Sequence, residues 1–124
     1  MTRAAHSVFV FGIYLLVVGA FLLGAPNTFL ALLRLPPTSD PWLRVLGVVV
    51  MAVGLLDVGS ARTEQTGYFR VTVRVRFFVL ISFIALVWLK HAPLVLIAFG
   101  LIDAAGALWT RQSLTRTTID AGAA

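Results

Sequence analysis

Asp57, Arg74, Arg76 and Asp103 lie within or at the edge of long apolar runs, in a chain where only 12% of residues are charged. Carboxylates and guanidiniums at close quarters can close an ion pair, clamp an anion or pass a proton. Each such group costs roughly 2.5 to 3.5 kcal/mol to bury in a bilayer on insertion scales, so each calls for a partner or a task. Asp103 is eleven residues into the last run, counted from Ala92. At 1.5 Å per residue that is ~16 Å, close to the midplane of a core ~30 Å thick. Arg76 falls ~7 to 8 Å from one edge, and its long stem extends its reach. Asp57, counted from Pro41, is ~24 Å below the opposite surface and so at about the same level as Arg76. Three spans thereby converge on one layer. Two readings follow. In one, Asp57, Arg76 and Asp103 form a buried ionic knot that fixes helix register, with Arg74 snorkelling to the headgroups. In the other, the layer lines a cavity for a polar or anionic headgroup, a proton or a small ligand, with Arg76 as the clamp and Asp103 as the titrating partner.

The elements that must hold these residues are spans of a membrane. Of the 124 residues, 60% are hydrophobic, far from the composition of a soluble domain. Four apolar stretches, at approximately 8–24, 41–60, 71–90 and 93–110, are long enough or nearly long enough to cross a bilayer. The expected fold is an all-α, polytopic four-helix bundle spanning residues 1–112, followed by a mobile polar tail at 113–124. The first stretch imitates a secretory signal, but its length, Pro26 directly after the supposed cleavage site and three further stretches favour a span. Ser39 or Asp40 can cap the second span, with Pro41 in its first turn. Phe29 to Arg34 is too short to cross and reads as a turn of helix lying in the interface, ended by Pro36 and Pro37.

Orientation follows from the basic residues. Arg3, Arg62, Arg70, Arg74, Arg76, Arg111 and Arg116 fall on one side, seven in all, and Arg34, Arg44 and Lys90 on the other, three in all. The excess makes the first side cytoplasmic, with both termini on it. The net charge of +5 then speaks for anionic headgroups at that face, rather than for nucleic acid. Gly12, Gly19 and Gly24 recur 35 residues later as Gly47, Gly54 and Gly59. This spacing suits close helix packing or records an internal duplication, and Gly100 and Gly106 extend the small-residue pattern to the last span.

Catalytic and metal chemistry find little footing. Cysteine is absent, no Ser-His-Asp set or phosphate loop is present, and His6 and His91 fall at opposite faces as interfacial polar residues. Trp42, Trp88 and Trp109 sit near span ends as an aromatic belt. No catalytic residue and no cofactor can be named.

The stretches Trp42-Leu43-Arg44-Val45-Leu46-Gly47, Phe69 to Arg76, and Ala92-Pro93-Leu94 through Gly100 to Thr110 resemble small bacterial four-helix membrane proteins that are DoxX-like in the broad sense. The resemblance implies a four-helix bundle in a bacterial inner membrane and a lipid- or quinone-like partner. The expected function is binding or scaffolding of a lipidic or membrane-protein partner, with self-association possible. The alternatives are an oligomeric transporter or channel with a polar pathway at Arg76 and Asp103, and an enzyme acting on an isoprenoid-like substrate. The topology is testable: probes at both termini and in the Arg62–Gly67 loop should be labelled from the cytoplasm, and probes at Pro37 and His91 from outside. A terminus labelled from outside overturns the charge count.

Overall fold

The computed structural model describes the backbone of residues 1–123 and the side chains of residues 1–116. It is α-helical: α1 (Arg3–Gly24), α2 (Pro26–Leu32), α3 (Trp42–Arg62), α4 (Thr66–Trp88) and α5 (Val95–Ala123) follow in order. Three of them, α1, α3 and α4, with 22, 21 and 23 residues, are long and apolar enough to cross a membrane. Only 33%, 17% and 17% of their most apolar windows are buried within the protein, so most of that apolar surface must meet another apolar medium. The fourth expected span belongs to α5, the longest helix at 29 residues. Its apolar run is diluted by Asp103, Thr110, Arg111 and Gln112, and it does not rank with the three. α5 continues to Ala123 through the stretch read from the sequence as a mobile polar tail. The side chains of that stretch beyond residue 116 lie outside the described residues.

Helix ends are set by local chemistry rather than by the limits of the apolar runs. α1 begins ahead of its run because the Thr2 hydroxyl accepts the Ala5 N–H at 3.1 Å, an N-cap contact. α3 starts as the sequence indicates: Asp40 Oδ1 accepts the Trp42 N–H at 3.0 Å, and Thr38 Oγ1 accepts the Asp40 N–H at 3.1 Å. The short helix α2 starts at Pro26, earlier than expected, with its proline in the first turn, where a missing N–H costs nothing.

The far ends share one solution. After α2, α3 and α4 the chain enters the left-handed region at Arg34 (φ 59°), Glu64 (φ 52°) and Lys90 (φ 63°). In each case the next N–H bonds back five residues: Leu35 to Leu30, Gln65 to Ser60, and His91 to Leu86, at 2.9, 3.0 and 2.9 Å. The left-handed residue itself bonds back three, to Ala31, Ala61 and Val87. These are Schellman closures built without glycine, each using a charged residue that keeps its head group outside the helix. At the end of α1, the Arg44 guanidinium donates to the Leu23 carbonyl.

The chain divides into two compact units, Met1–Val8 with Ser60–Ala124, and Phe9–Gly59. In the second, α1 and α3 meet backbone to backbone at glycines. A Cβ on Gly12 would lie 3.0 Å from the Gly54 carbonyl oxygen, and one on Gly54 would lie 2.9 Å from that of Gly12. Gly19 and Gly47 are reciprocal in the same way, at 2.7 Å in both directions. The sequence spacing of seven recurs in both helices, but it pairs Gly12 with Gly54 and Gly19 with Gly47, as antiparallel neighbours must. A Cβ on Gly24 or Gly59 would meet nothing within 4 Å. In the first unit α4 packs along α5, where Gly100 lies under Leu80 and Phe83. Its core is largely of small side chains, Ala4, Ala5, Ala61, Ala104 and Ala107, around Phe69, Val8 and Val73.

Gly19→Ala and Gly47→Ala should therefore destabilise the detergent-solubilised protein by about 1 to 3 kcal/mol, the usual cost of overpacking. Gly59→Ala, at an open position in a helix, should be neutral or stabilise by up to about 1 kcal/mol. Unfolding midpoints of the three variants decide the matter, and equal effects at positions 19 and 59 would contradict the contact.

Candidate functional site

Asp57 and Arg76 are buried, at 0% and 4% exposure; Asp103 is half-buried and Arg74 exposed. Asp57, Arg76 and Asp103 each take part in a hydrogen bond, ion pair or electrostatic interaction, and the Arg76 Nε and Nη1 atoms are shut off from solvent. The residues divide between the units: Asp57 belongs to Phe9–Gly59 and the other three to the unit that contains α4 and α5. Within the former, Asp57 Cβ lies 2.9 Å from where a Gly12 Cβ would stand, so the absence of a side chain at position 12 makes room for the carboxylate stem. Within the latter, antiparallel counting from the contact of Gly100 with Leu80 puts Asp103 at the level of Phe77 and Arg76.

Beside that level, α4 and α5 form a groove of about 410 Å³ lined by Arg70, Val73, Arg74, Phe77, Arg111, Leu114 and Thr115. The α4 residues are a stripe at i, i+3, i+4 and i+7, and those of α5 a shorter one at i, i+3 and i+4, so each set occupies one helical face. The same count brings Arg111 to the level of Phe69 and Arg70. Three arginines thus line one groove together with the apolar side chains of Val73, Phe77 and Leu114. Among the described residues none of the three has a carboxylate within ion-pair distance. The one hydroxyl of the lining, on Thr115, donates to the Arg111 carbonyl at 3.0 Å. Chemically, the groove is an anion cradle with an apolar wall.

Two smaller devices hold this end together. Ser7 Oγ and Thr110 Oγ1 lie 2.7 Å apart, and both are buried. Ser7 also reaches the Ala4 carbonyl at 2.7 Å and Thr110 the Gly106 carbonyl at 3.1 Å, so whichever hydroxyl donates across the pair, the other can serve its own helix. Glu64 grips the start of α1: Thr2 N–H donates to Oε1 and Thr2 Oγ1 to Oε2, both at 2.9 Å. In a capping box the glutamate comes from the third residue of the same helix; here it comes from the turn after α3. The residue that closes α3 thus caps α1. His6 stands edge-on to Trp109, with centroids 6.0 Å apart and planes at 75°, so Trp109 has a partner within the protein. Trp42 and Trp88, at 70% and 84% exposure, are open at helix ends.

Arg70 and Arg111 count toward orientation in the sequence, but nothing there assigns them to a site. The four-residue spacing of Arg70 and Arg74 was the available signal; their meeting with Arg111 depends on the α4–α5 register. No protein-family model, curated protein or solved structure matches the chain.

The Thr2 N–H bond to Glu64, assisted by the Thr2 hydroxyl and the nearby amino terminus, holds the carboxyl below its ordinary pKa against the opposing effect of burial. A lowered folded-state pKa contributes stability that is present above the ordinary carboxylate range and lost as pH falls through the folded value. The stability difference between the native protein and Glu64→Gln should be constant above about pH 6 and shrink below about pH 4. Its size should stay within about 1 kcal/mol, because the carboxylate is exposed to water. Chemical unfolding across that range measures it, and a difference that grows on acidification would refute the clasp.

Proposed function

We propose that the chain is a multi-pass inner-membrane protein in which α1, α3, α4 and α5 all cross the bilayer, with both termini cytoplasmic. Its task is to hold an anionic lipid at the cytoplasmic leaflet, as a lipid-binding or scaffolding subunit. The observation that carries this reading is the groove in which Arg70, Arg74 and Arg111 converge without a carboxylate partner among the described residues. Three like charges brought together repel unless an anion joins them, and the anion most abundant beside a basic helix end at the cytoplasmic face is a phospholipid phosphate. The floor of Val73, Phe77 and Leu114 offers the chain of such a lipid an apolar wall. The DoxX-like resemblance, with its lipid-like partner, agrees with the same reading.

Native mass spectrometry of protein extracted from bilayers of phosphatidylethanolamine and phosphatidylglycerol should find the anionic lipid retained. The exposed double variant Arg70→Gln/Arg74→Gln should weaken retention roughly 30-fold, at about 1 kcal/mol per arginine. Retention unchanged in the double variant would sink the proposal. So would ion or solute flux through reconstituted protein that Arg76→Gln abolishes while the helical signal is kept, since that result makes the chain a transporter.

A further inference from the structure

We infer that the Arg70–Arg74–Arg111 groove selects lipids that end in a phosphomonoester, such as a phosphatidate or a polyprenyl phosphate, over phosphodiester lipids. The inference rests on the lipid-binding reading and narrows it to one headgroup class. A phosphodiester presents two free oxygens and a single negative charge. A monoester presents three free oxygens and a charge of about −1.5 to −2 near pH 7, because its second pKa lies near 6. The groove supplies three guanidiniums from two helices, two from α4 and one from α5, each a planar fork suited to two phosphate oxygens. A diester leaves the third fork without an oxygen of its own and two positive charges uncompensated. The monoester dianion gives each fork an oxygen and leaves about one positive charge uncompensated instead of two.

The rest of the lining argues the same way by what it lacks. A diester lipid carries a further group beyond the phosphate, and that group needs polar partners once it leaves water. An ethanolamine or serine ammonium would look for a carboxylate, and none of Arg70, Val73, Arg74, Phe77, Arg111, Leu114 or Thr115 offers one. A glycerol headgroup would look for hydroxyl partners, and the Thr115 hydroxyl is already engaged with the Arg111 carbonyl. A terminal phosphate asks only for donors. Its chain leaves along Val73, Phe77 and Leu114.

The test is competition on the full-length protein in detergent micelles, read by native mass spectrometry, between phosphatidate and phosphatidylglycerol of identical acyl chains. At about pH 8 phosphatidate should bind at least about tenfold tighter, and at about pH 5.5, where the monoester carries close to one charge, the preference should shrink toward unity. Among the described residues no carboxylate or histidine lines the groove, and guanidinium groups hold their charge across this range, so the pH dependence reports the phosphate. Arg111→Gln should remove most of the preference, lowering phosphatidate binding about tenfold more than the roughly fivefold loss of phosphatidylglycerol binding that one arginine brings. Arg74→Lys, which keeps the charge but not the fork, should lower it in part, with circular dichroism confirming the fold of both variants. Equal binding of the two lipids at both pH values overturns the selectivity and leaves anionic-lipid binding standing. Retention of neither lipid overturns both. Inorganic phosphate that displaces phosphatidate at equal concentration would make the ligand a soluble phosphate and overturn the lipid assignment.

Discussion

The governing constraint is that a main-chain N–H or C=O facing hydrocarbon has no water to turn to, and each one left unsatisfied costs several kcal/mol. Continuous helix answers it along a span, but a helix still ends with orphan donors and acceptors. The structure resolves these ends one by one: Thr2 caps α1 with Glu64 reaching in from another turn, Asp40 caps α3, and three Schellman closures at Arg34, Glu64 and Lys90 absorb the last carbonyls. Much of the polar chemistry of the chain is consequently gathered at helix ends, while Asp57, Arg76 and Asp103 stand within helices. The groove between α4 and α5 lies near the start of α4 and partway along α5, and its arginines extend from helices whose backbones need nothing further from them.

The same constraint explains what could be read in advance. Long apolar runs have one stable form in a bilayer, so the helices and their order were legible. Their limits were not, because a helix continues as long as caps and propensity permit, whatever the hydropathy: α1 reaches back to Arg3 and α5 on to Ala123. The glycine spacing was legible as packing, but its partners were not. A repeat offset of 35 pairs Gly12 with Gly47 on paper, whereas antiparallel helices in contact must pair residues whose numbers have a constant sum, and Gly12 meets Gly54. Gly24 and Gly59 fit the repeat equally well, yet a Cβ at either would stand in open space, which makes the close backbone approach and not the repeat the physical content of the pattern.

Among the charges, the sequence argument rests on cost and therefore found the residues whose burial is expensive. Asp57 and Arg76 are buried, Asp103 is half-buried and Arg74 is exposed. A site made of exposed charges carries no such signal, because an exposed arginine costs little and needs no partner. Arg111 enters the groove through the register of α4 on α5, fixed near Gly100 by Leu80 and Phe83. No local spacing encodes that register. The Ser7–Thr110 pair was hidden for a related reason: each hydroxyl alone can bond to its own helix, and only their meeting across 103 residues gives the pair its place.

Nine of the ten basic residues are arginine, and the single lysine, Lys90, stands in the turn between α4 and α5. Orientation in a membrane responds to positive charge and treats lysine and arginine alike, so it bears on where charge lies but not on its chemical form. A guanidinium differs from an ammonium in its planar fork of donors, its weaker hydration and its fit to paired oxygens. Those properties bring no advantage to a charge facing bulk water. They matter where several cations share one anion against an apolar wall, and Arg70, Arg74 and Arg111 line one groove with Val73, Phe77 and Leu114. The residue type and the groove geometry, observed independently, thus point to the same chemistry at the end of α4.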